Sequence, residues 1–172
     1  METVRAAGGR NADRFLMVPG YSGSYEGAAA DEFELPEDGR LIVEAHMYVP
    51  YDFALNTESD DSSFDLEKDG WKKNEIASMF TGLYERHIMR GVPVIVDEFG
   101  ALRKNDGDLQ ARVNFAAFFA AMASARGIPV AWWDNANFVW QGEQFGLIDR
   151  IRLQWVYPDI ALAIITNCMV NR

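Results

Sequence analysis

Residues 91–100 read GVPVIVDEFG: Gly91, the apolar run Val92-Pro93-Val94-Ile95-Val96, then Asp97-Glu98-Phe99-Gly100. A β-branched run opened by Gly and Pro predicts a strand buried on both faces, as in a parallel sheet covered by helices. This strand runs directly into two adjacent acids. In parallel α/β sheets and barrels, ligands are held at the carboxyl ends of strands, where variable loops converge over a rigid support. The placement of Asp97 and Glu98 therefore speaks to the fold class and to the position of the chemistry at once.

Working outward, three further apolar, β-branched or aromatic runs predict strands: Phe15 to Val18, Leu41 to Tyr48, and Ile128 to Trp133. Helical patterns lie between them. One runs from Trp71 to Met89, with Ile76, Met79, Phe80, Leu83, Tyr84 and Ile88 apolar. A second runs from Leu109 to Ala125, and a last amphipathic stretch covers Pro158 to Met169. Gly91-Val92-Pro93 and Gly127-Ile128-Pro129 repeat one punctuation, in which glycine ends a helix and proline opens a strand. Arg86 and Arg90 fall where cations suit the negative end of a helix. Strand–helix alternation with apolar strands predicts an α/β fold: a parallel sheet covered by helices. The acidic link Asn56 to Lys68, NTESDDSSFDLEK, reads as an exposed strand-to-helix loop on the face that carries the site.

A chain of 172 residues suffices for one domain, taken as residues 1–172, that buries roughly 70% of its unfolded surface. With 26 acids against 16 Lys and Arg, the net charge of -10 argues against binding a phosphate backbone, so no nucleic-acid partner is expected. No apolar run reaches the length of a membrane span. The start METVRAAGGRNADR has no apolar signal-peptide core and reads as the last turns of a helix closed at Gly8-Gly9. One cysteine and two histidines exclude an internal disulfide and any zinc-finger spacing, and Cys168, in an apolar stretch, is expected to be a core thiol.

Three predicted strand ends carry polar or aromatic side chains. In LIVEAHMYVPYDF, alternation puts Glu44, His46 and Tyr48 on one face. The same rule puts Glu98 on the face of Val94 and Val96. The fourth run ends in Trp132-Trp133-Asp134-Asn135. Taken singly, each has a plainer reading: His46 as a satisfied structural histidine, Asp97-Glu98 as an ion pair or helix cap, Trp133 as core. Their occurrence at three successive strand ends favours one pocket ringed by a carboxylate, an imidazole, a phenol and a tryptophan.

The segments VRAAGGRN, RFLMVPGYSGS, LIVEAHMYVPYDFALN, RGVPVIVDEFGAL, AWWDNANF and GEQFGLIDR, in this order, resemble the endoglucanases (cellulases) of glycoside hydrolase family 5. The likeness runs over nearly the whole chain. It implies a (β/α)8 TIM barrel that hydrolyses β-1,4-glucans with retention of configuration, without metal or cofactor, and is secreted in the full-length family member. Glu98, in VDEFG where the family usually has IGEFG, matches the nucleophile. His46 and Tyr48, in AHMY, match the active-site histidine and the tyrosine that hydrogen-bonds the nucleophile. Trp133 matches the aromatic platform under the sugar. Such a nucleophile needs an ionised carboxylate on a rigid element, and a strand end provides one.

The resemblance covers only the family's strands five to eight, so the expected architecture is half of a TIM barrel. The Asn-Glu-Pro motif that supplies the general acid/base is absent from these residues. Asp97 stands where the family commonly has Gly, and Glu44 where a small polar residue is expected. The reading is an endo-β-1,4-glucanase fragment with its nucleophile side present, acting on cellulose-type glucan. The alternatives are a non-catalytic half-barrel that binds β-glucan weakly through Trp133, and a different barrel enzyme with Asp97 and Glu98 as metal ligands. Open strand edges predict a homodimer or larger assembly.

Overall fold

A computed structural model describes residues 1–168. The short helix α1 (Glu2–Ala6) precedes Gly8 and Gly9, both at positive φ, 82° and 61°. Four parallel strands follow in chain order, β1 (Leu16–Ser24), β2 (Leu41–His46), β3 (Val94–Phe99) and β4 (Val130–Trp132), each paired with the next. The connections carry α2 (Tyr25–Ala29), α3 (Tyr51–Ala54), α4 (Gly70–Arg86) and α5 (Leu109–Ser124). A small antiparallel pair, β5 (Ile148–Asp149) and β6 (Gln154–Trp155), and helix α6 (Pro158–Cys168) complete the described chain. Helix α4 passes into a 3₁₀ turn, Ile88–Arg90, and stops at Gly91 with φ 80°, the left-handed stop that glycine adopts without strain.

One face of the sheet is packed under the helices. Leu41, Val43, Ala45, Met47 and Val49 point into that core, while Ile42, Glu44, His46 and Tyr48 lie half-buried on the opposite face. Strand β3 starts in the same way, with Val94 and Val96 buried. Against β2, Val43 pairs with Val94 and Ala45 with Val96, but the next partner of His46 is Glu98. One extra residue, Asp97, has been inserted, which is a β-bulge.

The bulge corrects one expectation. Glu98 does not share the face of Val94 and Val96, because the inserted residue turns it to the side of His46 and returns Phe99 to the helix-packed core. Val94 and Val96 belong to the core under the helices. Strict alternation has no means of anticipating the inserted residue.

The core is built on aromatic rings. Phe99 stacks on Phe119 of α5 with centroids 4.2 Å apart, and Phe53, Phe64 and Phe115 pack around them. Phe64 corrects the reading of the 56–68 link as merely exposed: only 2% of its surface is accessible, so it anchors the loop in the core. The buried Lys72 amine reinforces this anchor by donating to Asp61 and to the Ser63 carbonyl. Cys168 is also corrected, since it is exposed rather than core.

His87, just past α4, is 4% exposed, with Nε2 2.8 Å from the Ala28 carbonyl and its ring edge-on to Phe33. The carbonyl accepts, so Nε2 carries the proton. Burial, with the charges of Arg86 and Arg90 added, holds the imidazole below its usual 6.5, although the carbonyl contact opposes this. The unfolded chain therefore binds a proton near pH 6.5 that the folded chain refuses. This contribution to stability is full above that value and is lost as pH falls from there towards the folded value. Urea midpoints are expected to drop between pH 7 and pH 5. His87→Gln, which keeps an N–H donor, should show a smaller drop than wild type. An equal drop in both would exclude His87 as the cause.

Candidate active site

The bulged end of β3 delivers Glu98 to the inner face, where β2 delivers Tyr48 and His46. The Tyr48 hydroxyl donates to Glu98 Oε2 at 3.0 Å, and His46 Nδ1 lies 3.3 Å from the same oxygen. Burial and the neighbouring Glu98 charge push the Tyr48 phenol far above its ordinary value, so it stays protonated and remains a donor at any working pH. Both contacts address Oε2, which leaves Oε1 outside them. The far nitrogen of the same imidazole faces two more acids: Nε2 is 3.6 Å from Glu44 Oε1 and 3.7 Å from Asp97 Oδ1. Burial first, then the charges of Asp97 and Glu98, raise the Glu44 carboxyl, with His46 pulling the other way.

Glycines at two strand ends fix these side chains. At Gly23, with φ 69°, an added Cβ would come within 3.1 Å of the His46 ring, so the end of β1 closes directly on the imidazole. At Gly100 a Cβ would fall 2.8 Å from Phe145, whose ring packs on Tyr48 at 5.6 Å. Phe145 is fully buried and held by Trp132, whose indole Nε1 donates to its carbonyl at 2.9 Å. The glycine of VDEFG thus admits the residue that backs the tyrosine. The Met47 amide donates to the Glu98 carbonyl at 2.8 Å, continuing the β2–β3 ladder to the bottom of the site.

Of the four predicted site residues, His46, Tyr48 and Glu98 meet directly. Trp133 does not hydrogen-bond to them: its amide donates to the Phe99 carbonyl at 2.8 Å, next to Glu98 in the chain, and its side chain stays 40% exposed at the end of β4. Beside them opens a cleft of about 290 Å³ lined by Ser22, Ser24, Glu26, His46, Tyr48 and Tyr51 among others. Sequence reasoning missed Phe145, Gly23 and Gly100. The quoted GEQFG segment holds Phe145, but no periodicity ties it to Tyr48.

Successive parallel β/α units, with a hydrogen-bonded carboxylate held at one strand end, define half of a (β/α)8 barrel built as glycoside hydrolases build theirs. The chain belongs to the cellulase family, glycosyl hydrolase family 5, whose model matches residues 1–139. It is 42% identical over 161 residues to Endoglucanase 1 of Ruminococcus albus, covering 93% of this chain and 38% of that protein. It is 40% identical over 168 residues to Endoglucanase B of Neocallimastix patriciarum, covering 96% and 34% respectively. Among solved structures, a family 5 lichenase from a Caldicellulosiruptor species superposes with a TM-score of 0.91 at 40% identity, over 97% of this chain and 46% of that one. A broad-specificity endoglucanase from Ruminococcus champanellensis with bound cellotriose gives 0.83 at 38% identity, over 95% and 46%. The chain thus spans just over a third of these curated relatives and about half of these solved structures.

Proposed function

We propose that this chain carries the nucleophile half of a retaining endo-β-1,4-glucanase. The observation that carries the reading is the 3.0 Å hydrogen bond from Tyr48 to Glu98 at the end of β3. Glu98 attacks the anomeric carbon through its free oxygen, Tyr48 steadies the other oxygen, and His46 borders the same carboxylate. Trp133, exposed at the next strand end, stacks on the apolar face of a glucose ring. The substrate is a β-glucan chain, in keeping with the lichenase and the cellotriose-bound endoglucanase among the similar structures. A polymer of that size is met outside the cell, so the protein acts there. The general acid/base is assigned to a segment bearing the family's Asn-Glu-Pro, which these residues do not contain. The deciding experiment is hydrolysis of a soluble β-glucan by wild type and by Glu98→Gln. A chain that binds glucan through Trp133 but shows no Glu98-dependent hydrolysis even in a completed barrel would be the non-catalytic binder.

Assembly follows from the same half-barrel. Strands β1 and β4 are the edges of the sheet; Met17 on the first and Phe15 just before it are 45% and 60% exposed. Unpaired edges with apolar side chains recruit further strands. In a two-fold dimer each β1 would pair with the partner's β4, closing a pseudo-barrel of two copies. Light scattering at micromolar concentration is expected to give at least twice the chain mass, and a compact monomer would refute the assembly.

A further inference from the structure

Glu44 and Asp97 flank the same nitrogen of His46. One donor atom from each of Glu44, His46 and Asp97 lies within 4.8 Å of the others, and the two contacts to Nε2 measure 3.6 and 3.7 Å. Two ligands at about 2.1 Å from a tetrahedral ion lie roughly 3.4 Å apart, so shifts of a few tenths of an ångström would bring the imidazole and either acid to bonding distance. Asp97 Oδ1 is buried and has no hydrogen-bond partner. Among the described residues neither acid forms a salt bridge to a lysine or arginine, His46 being their shared contact. The two acids thus face one imidazole nitrogen with no cation of the described residues between them.

The imidazole has a carboxylate near each of its ring nitrogens. A metal-bound histidine binds through one ring nitrogen and donates the other N–H to a carboxylate, which fixes its tautomer and orientation. Here Nδ1 lies 3.3 Å from Glu98 Oε2, and Tyr48 holds that carboxylate in place. A carboxylate therefore stands beside the second ring nitrogen of an imidazole whose Nε2 faces two acids.

We propose that Glu44, His46 Nε2 and Asp97 form a binding site for a divalent transition-metal cation of the zinc type. One imidazole nitrogen and two carboxylate oxygens, with a fourth position left to water, make a donor set suited to Zn²⁺, whereas Mg²⁺ and Ca²⁺ take oxygen ligands. The ion would hold the proton of His46 on Nδ1, directed at Glu98. The site shares His46 with the proposed glucanase centre, but it stands or falls by metal binding and not by hydrolysis.

The test uses the purified chain and zinc chloride alone, read by calorimetry and by zinc-edge X-ray absorption. One site per chain is expected, with a single imidazole and otherwise oxygen neighbours around the metal. The chain has two histidines, and the Nε2 of His87 is buried on the Ala28 carbonyl, so one imidazole identifies His46. Glu44→Gln and Asp97→Asn should each weaken binding by at least about tenfold, since even outer-shell changes cost 10- to 100-fold. Asp60→Asn, in the exposed acidic loop, should leave it unchanged. If a variant folds poorly, the absorption spectrum of the wild-type chain still decides. The proposal is overturned by no stoichiometric binding, by a shell without imidazole or with the Cys168 sulfur, or by an affinity indifferent to both Glu44→Gln and Asp97→Asn.

Discussion

Glu98→Gln is expected to lower kcat on a soluble β-glucan by on the order of 10⁴-fold or more in a protein whose barrel is complete, because removing a nucleophile leaves only binding and electrostatics to act. Glutamine is nearly isosteric and its amide oxygen still accepts from the Tyr48 hydroxyl, now 3.0 Å from Glu98 Oε2. The fold and the cleft should therefore survive, and glucan affinity should change little while turnover collapses. That split separates a nucleophile from a residue that holds the site together, whose loss would lower thermal stability along with activity. Reducing-end release, a glucan-binding measurement and a melting curve read the three quantities. Retained turnover in the variant would remove Glu98 from the proposed role.

The parts of this protein that were legible in the sequence are those fixed by local pattern. Apolar strands punctuated by Gly-X-Pro, and helices such as α4 and α5 with apolar repeats, follow from side-chain periodicity, and the structure has them within a few residues, whereas β1 runs on to Ser24, six residues past the expected Val18. His46 and Tyr48 fell on the right face because β2 is regular from Leu41 onward. Glu98 was placed at the right strand end but on the wrong face, since the inserted Asp97 is visible only in the register of β3 against β2. Phe64 was hidden in an acidic loop whose composition spoke for solvent, while its burial depends on a core formed by distant rings. Phe145 reaches Tyr48 through Gly100, a contact between residues nearly a hundred positions apart in the chain. Such pairings depend on tertiary packing, and no single segment encodes them.

Assayed by itself, the 172-residue chain should hydrolyse carboxymethylcellulose roughly 10²- to 10⁴-fold more slowly than when co-expressed with the family's first four strand–helix units, the range that general acid help contributes. A retaining mechanism needs a second carboxyl about 5 to 5.5 Å from the nucleophile to protonate the departing oxygen. The nearby Glu44 has the raised carboxyl a general acid requires. Its position is wrong, because it addresses Nε2 of His46 while Glu98 addresses Nδ1, so the imidazole ring stands between the two carboxylates. A glycosidic oxygen over Glu98 would meet the ring before it met Glu44. In the proposed two-fold dimer the partner's Glu98 would lie across the pseudo-barrel, a separation that suits a water-mediated inverting route better than a retaining one. Supplying the Asn-Glu-Pro segment in trans would pair the edge strands β1 and β4 and bring the acid to the nucleophile's side. Activity should then rise, and it should vanish again with Glu98→Gln. Robust hydrolysis by the lone chain, abolished by both Glu98→Gln and Glu44→Gln, would instead make Glu44 the acid and require His46 to swing out of the space between them.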